Sequence, residues 1–190
     1  SLPQEKLKAM LKKTSFAAST DEARYVLNGI FFSLKEHKVT LVATDGRRLA
    51  LTDEEADVPV EAHAEFIVPN KAINEVNRLL GSIGSVEIRF SENQVSFTKA
   101  AEGELRVLIM SKLVDGNYPN YRQVIPPEAH ERIVLPREEF LSALRRAELM
   151  TSDKSNSVKL SFSRNQLAIT ANTPEVGEAR ETLAIKYQGK

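Results

Sequence analysis

The sequence predicts an α+β protein assembled from repeated half-units, each one helix followed by antiparallel strands, with two half-units to a domain. Three observations predict it. A Leu-Pro or Val-Pro step opens a new pattern at Leu2-Pro3, Val68-Pro69 and Leu135-Pro136, at near-equal intervals. Each step is followed by one amphipathic stretch and then by short apolar runs with strand character. Finally, Ser91-Glu92-Asn93-Gln94-Val95-Ser96-Phe97-Thr98 is echoed by Ser163-Arg164-Asn165-Gln166-Leu167-Ala168-Ile169-Thr170. One half-unit has too little core to stand alone. The expected organisation is therefore a domain over 1–125 (half-units 1–66 and 67–125), a linker over 126–134, and an unpaired half-unit over 135–190.

The first helix is expected from Pro3, which suits a first turn, and from Leu7, Met10, Leu11 and Thr14 on one stripe. Strands follow at Val26–Leu34, Lys38–Thr44 and Arg48–Thr52, the last two joined by the turn signal Asp45-Gly46. Ala64–Val68 is a further strand. A second helix over Asn70–Leu80 carries Ile73, Val76 and Leu80 on one side, and Gly81 is placed to stop it. Strands come next at Val86–Phe90, Gln94–Thr98 and Leu105–Ser111. The run Asp115-Gly116-Asn117-Tyr118-Pro119-Asn120 is dense turn chemistry, and Pro126-Pro127 marks a linker. The third helix carries Phe140, Leu141, Leu144 and Ala147, before strands at Ser157–Ser163, Gln166–Ala171 and Ala179–Tyr187.

Composition excludes several classes of chemistry. Without cysteine there is no disulfide, thiolate metal site or cysteine nucleophile. No apolar run is long enough to span a membrane, and Ser1–Lys6 lacks the apolar core of a secretory signal. A soluble, cytoplasmic protein is expected. His37, His63 and His130 lack ligand spacing, and Gly81-Ser82-Ile83-Gly84 is not a phosphate loop. Ser152-Asp153-Lys154 has no Ser-x-x-Lys beside it. The acids Asp53, Glu54, Glu55 and Asp57, near Asp45, read as a solvated connecting loop rather than a magnesium site. No catalytic residue, cofactor or metal is expected.

Lys+Arg 26 balance Asp+Glu 26, but a neutral sum does not say where the charges lie. At about 100° per residue, Lys8 and Lys12 fall opposite the apolar stripe of the first helix. Lys71 and Arg78 do the same on the second helix, and Arg146 on the third. Such faces are either plain solvated surface or, if the repeats are related by rotation, one common lining that touches phosphate without reading sequence.

The stretch Leu41-Val42-Ala43-Thr44-Asp45-Gly46-Arg47-Arg48-Leu49-Ala50, preceded by Tyr25-Val26-Leu27-Asn28-Gly29, resembles the bacterial sliding clamp, the beta subunit of the replicative DNA polymerase III. Ser111–Tyr121 is similar to the end of that family's second domain, and Ala171–Ala179 to the opening half of its third. The resemblance implies the DNA clamp fold: three domains per protomer, two half-units each, closed head-to-tail into a homodimeric ring with helices lining the hole. It implies a non-catalytic processivity factor of DNA replication that encircles duplex DNA without reading sequence. Its partners would be the polymerase catalytic subunit, the clamp loader and repair polymerases, each held through a clamp-binding peptide.

By resemblance, Leu27, Thr44, Gly46, Arg47, Arg48, Leu49, Pro119, Gln123 and Val124 fall on the partner-peptide groove. Arg47 and Gln123 depart from the histidine and arginine common there. Arg24 and Tyr25 match a DNA-contacting loop, joining Lys8, Lys12, Lys71, Arg78 and Arg146 as expected DNA contacts. Leu149 and Met150 match the ring interface. The first domain and the end of the third have no counterpart here, so this length of chain is expected to bind peptide weakly. It is also expected to be monomeric or to associate otherwise than as the family's ring.

Overall fold

The computed structural model describes residues 1–56, 63–100, 106–127, 129, 131–152 and 156–188. Asp57, Leu105, His130, Asp153 and Lys154, named above, lie outside them. The chain divides into two compact units, Ser1–Ile125 and Pro126–Lys190.

Among its described residues the first unit holds two four-stranded antiparallel sheets and two α-helices. In chain order its elements are β1 (Leu2–Pro3), α1 (Gln4–Thr14), β2 (Gly29–Lys35), β3 (Lys38–Thr44), β4 (Leu49–Glu55), β5 (Ala64–Pro69), α2 (Asn70–Leu79), β6 (Ser85–Phe90), β7 (Gln94–Ala100) and β8 (Arg106–Lys112). The sheets run β4-β3-β2-β5 and β1-β6-β7-β8. Leu7, Met10 and Leu11 of α1 and Ile73 and Val76 of α2 are fully buried against Ile30, Phe32, Leu41, Val86, Val95 and Phe97. Each such side chain removed from water contributes ~1.5–3 kcal/mol, and this shared core joins the two halves.

The halves exchange strands reciprocally. The segment before α1 adds to the second half's sheet, pairing Leu2 with Val86 and Pro3 with Ser85. The segment before α2 adds to the first half's sheet, pairing Val68 with Ile30 and Pro69 with Gly29. The backbone bonds correspond too: Gln4 N–H donates to the Gly84 carbonyl at 2.9 Å, and Asn70 N–H to that of Asn28 at 3.0 Å. Pro3 and Pro69 therefore end a strand and cap a helix at once.

Several expected boundaries move. Val26–Asn28 is not strand: a 3-10 turn spans Glu22–Leu27, with the Asp21 carboxylate accepting from Ala23 N–H, and β2 begins only at Gly29. Gly81 does not end α2 by a left-handed turn, because Leu80 is already extended. Gly81 N–H instead bonds the Gln4 side chain at 2.9 Å. Asp53, Glu54 and Glu55 lie inside β4 rather than on a loop, where Lys38 pairs with Asp53 and Lys6 with Glu54.

In the second unit α3 (Arg137–Glu148) packs on a three-stranded sheet of β9 (Lys159–Ser163), β10 (Gln166–Thr173) and β11 (Gly177–Ala184), ordered β11-β10-β9. Its core is Ala143 and Ala147 against Leu167, Ile169, Ala171 and Ile185.

Candidate partner groove and nucleic-acid face

Strand alternation gives the sheet β4-β3-β2-β5 two apolar faces. Ile30 and Phe32 point to the α1 core, while Phe31 faces the other way with Val42 and Ile67. The chain after β8 returns across this second face: Val114 N–H donates to the Ile67 carbonyl at 2.9 Å, and a 3-10 turn over Tyr121–Gln123 follows. Tyr118 then stacks on Phe31 with ring centroids 4.9 Å apart, and Tyr121 lies tilted beside it at 6.0 Å. Burial pushes the Tyr118 hydroxyl up to about 12. Leu49 and Val26 edge this apolar shelf, half-buried. In the same unit Val124 is 69% exposed, Pro119 and Gln123 are exposed, and Leu27 is buried.

Next to the shelf, the β3–β4 turn is built from side chains. Asp45 accepts from the backbone N–H groups of Arg47 and Arg48, each at 3.0 Å, and from Arg48 Nε at 3.1 Å. These donors, the two amides foremost, hold its carboxyl below the usual carboxylate range. Thr44 Oγ1 accepts from Gly46 N–H at 3.1 Å and donates to the Arg48 carbonyl at 2.7 Å. Gly46 has φ +83°, and a Cβ there would also meet the Arg24 guanidinium. Arg24 buttresses the turn, donating to the Asp45 carbonyl at 2.7 Å and to Asp21 at 2.9 Å. Arg48 lies over the Phe16 ring. A polar cavity of about 470 Å³ opens here, lined by Phe16, Asp21, Arg24, Asp45, Arg47 and Arg48 among others.

The structure thus gathers Thr44, Gly46, Arg47, Arg48 and Leu49 at one end of the sheet, with Arg24 behind them. Sequence reasoning missed the shelf itself: Phe31, Val42, Ile67, Tyr118 and Tyr121. The available signal was the unbroken run Ile30-Phe31-Phe32, since a strand buried on both faces loses its polar alternation.

The cations named from the helices are all exposed but differ in their partners. Lys12 and Lys71 make no ion pair or side-chain hydrogen bond among the described residues. Lys8 donates to the Leu80 carbonyl at 2.7 Å, and Arg78 pairs with Glu75 on its own helix. Arg146 is held by both oxygens of Glu181, at 2.9 and 2.7 Å, and by Ser142. That hydrogen-bonded pairing raises the Arg146 pKa and lowers that of Glu181. Tyr25 is 58% exposed. Leu149 is 70% exposed, whereas Met150 is half-buried and packs on its own unit's core. No three His, Asp or Glu side chains among the described residues come together to hold a metal.

Repeated half-units with exchanged strands, cations on the helices and an apolar shelf behind the sheet define the DNA clamp class of fold. Residues 1–120 match the family model of the DNA polymerase III beta subunit, central domain, and residues 122–190 that of its C-terminal domain; the chain belongs to this family. The beta sliding clamp of Chlamydia pneumoniae is 37% identical over 190 residues, which are 100% of this chain and 50% of that protein. The crystal structure of the DNA polymerase III subunit beta from Pseudomonas aeruginosa superimposes with a TM-score of 0.92 at 34% identity, covering 100% of this chain and 50% of that one. A sliding clamp from Bartonella birtlesii, solved bound to griselimycin, gives 0.88 at 39% identity, covering 98% and 50%. The chain therefore spans about half the length of the relatives it matches.

Proposed function

We propose that this chain is part of a DNA sliding clamp: a non-catalytic, cytoplasmic processivity factor that, as a ring-shaped homodimer in its full-length form, encircles duplex DNA and tethers polymerases and other replication and repair proteins. The observation that carries this reading is the two-sidedness of the first half-unit. One face of its sheet covers a helix whose lysines point to solvent, and the other face bears the apolar shelf. Lys12 and Lys71, with Lys8, would make weak phosphate contacts that carry no sequence information, so a ring could slide. Phe31, Val42 and Ile67 are already covered by Tyr118 and Tyr121, so it is the open edge of the shelf, half-buried Val26 and Leu49, with exposed Val124 and the prebuilt Thr44–Arg48 turn, that would take the apolar and aromatic anchors of a partner peptide. Tethering then makes each rebinding intramolecular. The ring interface on this reading includes Leu149.

The test is duplex binding by fluorescence anisotropy over a range of salt. Unrelated sequences should bind alike. Lys12→Ala and Lys71→Ala should each reduce the log–log salt slope by about 1. Arg146→Ala should reduce it less, because Glu181 already occupies that guanidinium. A clear sequence preference, or salt-independent binding, would refute the reading. Retention of the full-length protein on circular but not linear DNA separates encirclement from a scaffold that only joins proteins.

A further inference from the structure

Resting on the partner-groove reading, we propose that Arg24 is a positioning residue of that groove: it sets the angle of the Thr44–Arg48 turn against the apolar shelf, and its guanidinium is committed there rather than to DNA phosphate. The turn is closed by its own side chains. The bonds of Asp45 and Thr44 to Gly46, Arg47 and Arg48 all run between near neighbours, and they leave the angle of the turn to the shelf open. Two contacts from outside the turn supply that angle. Arg24 Nη1 donates to the Asp45 carbonyl at 2.7 Å, and Arg48 lies over the Phe16 ring, 5.7 Å from its centroid. Both come from the single connection between α1 and β2.

That connection is itself held fast, so it can act as a strut. Ser19 is buried at its centre: its N–H donates to the Leu27 carbonyl at 3.0 Å, its hydroxyl accepts from Asp21 N–H at 3.1 Å, and its carbonyl accepts from the Asn70 side chain at 3.0 Å. The Asp21 carboxylate then divides its work. One oxygen caps the 3-10 turn through Ala23 N–H at 3.0 Å, and the other takes Arg24 Nε at 2.9 Å. Helix end, buried serine, cap and guanidinium thus lead in sequence from α1 to the Asp45 carbonyl. Gly46 marks how close the approach is, since a Cβ there would stand 2.9 Å from Arg24 Nη1.

Charge separates Arg24 from the cations that suit phosphate. Lys12 and Lys71 carry no ion pair among the described residues, whereas Arg24 is neutralised by Asp21, and a phosphate would have to displace that carboxylate. Asp21 is correspondingly held below the usual carboxylate range, first by its bond from Arg24. Geometry separates arginine from lysine at this position. The rigid fork serves two acceptors at once, Asp21 through Nε and Asp45 through Nη1, while a lysine head is a single point charge that cannot hold both in that arrangement. A phosphate contact tolerates the exchange of arginine for lysine; a two-point brace does not. Arg24 also forms part of the wall of the cavity of about 470 Å³, so truncation there widens an opening and supplies no substitute contact.

The test compares Arg24→Lys and Arg24→Ala with the wild type in three measurements. In this chain, NMR-detected exchange of the Arg47 and Arg48 amides, both held by Asp45, should quicken in each variant by about threefold or more. Unchanged exchange at Leu41 and Val42 of β3 shows that the sheet is intact. In the full-length protein, a fluorescently labelled synthetic peptide with leucine and phenylalanine anchors should bind either variant about threefold to tenfold more weakly. The salt slope of duplex binding should keep its wild-type value in Arg24→Lys and fall much less in Arg24→Ala than in Lys12→Ala. Asp21→Asn keeps the cap but turns an amide toward Arg24 Nε, and should weaken the peptide in the same direction with every cation in place. Wild-type peptide affinity in Arg24→Lys would overturn the proposal. So would a slope lowered by about 1 in Arg24→Ala with peptide binding unaffected, since that would place Arg24 on DNA. A wild type that binds no peptide removes the groove reading together with this one, whereas peptide binding indifferent to Arg24 removes this one alone.

Discussion

Tyr118 shows how much a single residue of the candidate groove depends on contacts that no linear pattern reveals. In sequence it sits among Gly116, Asn117 and Pro119, turn chemistry that predicts an exposed loop. In the fold its ring stacks on Phe31, and its hydroxyl lies 3.5 Å from the Val42 carbonyl, too long for a strong bond. Burial is what raises its pKa to about 12 from 10.0. The folded state therefore holds the neutral phenol more firmly than the unfolded chain does. The stability this adds is fully present below pH 10 and is lost as pH rises through about 12. An alkaline absorbance titration of the four tyrosines should show one late phase, absent in Tyr118→Phe. A late phase that persists in that variant would disprove the assignment. The Thr44–Arg48 turn was legible, because Asp-Gly chemistry predicts a turn locally; Arg24 bracing it from 21 residues away was not.

Among elements, the strands were legible where alternation and turn signals agree, as in β3, whose bounds match expectation at both ends. They failed where a short apolar pair served another purpose. Val26 and Leu27 look like the start of β2, yet they belong to a 3-10 turn that carries Tyr25 and Arg24. The β2–β3 hairpin hid for the opposite reason: Glu36 and His37 both take positive φ without the glycine or asparagine that usually announces it. Gly29, by contrast, has a reason to be glycine that only the sheet discloses. It opens β2 opposite Pro69, and a Cβ there would run into the Val68 carbonyl and the Ile67 side chain. Gly29→Ala must push β5 away or bend β2, and should cost about 1–3 kcal/mol, in the range of other overpacked sites. Urea denaturation should show a lower midpoint with an unchanged slope. An undiminished midpoint would mean that the β2–β5 contact is softer than its geometry indicates.

At the scale of the whole molecule, the proline-led repeat was visible in sequence because each half-unit re-uses one local pattern. The reciprocal exchange that binds halves together was not, since it pairs residues as distant as Leu2 and Val86. That exchange now separates the two units energetically. The main core of the first unit gathers 20 buried apolar residues among those described, whereas the second has six, three of them alanines. At roughly 25 cal/mol per Å² of apolar surface removed from water, small side chains and half-covered leucines contribute far less. Differential scanning calorimetry should therefore resolve two transitions, with the second unit melting first. Hydrogen exchange at the Leu167 and Ile169 amides of β10 should follow the lower transition, and exchange at Leu41 and Val42 of β3 the upper. A single transition shared by all four amides would contradict independent units.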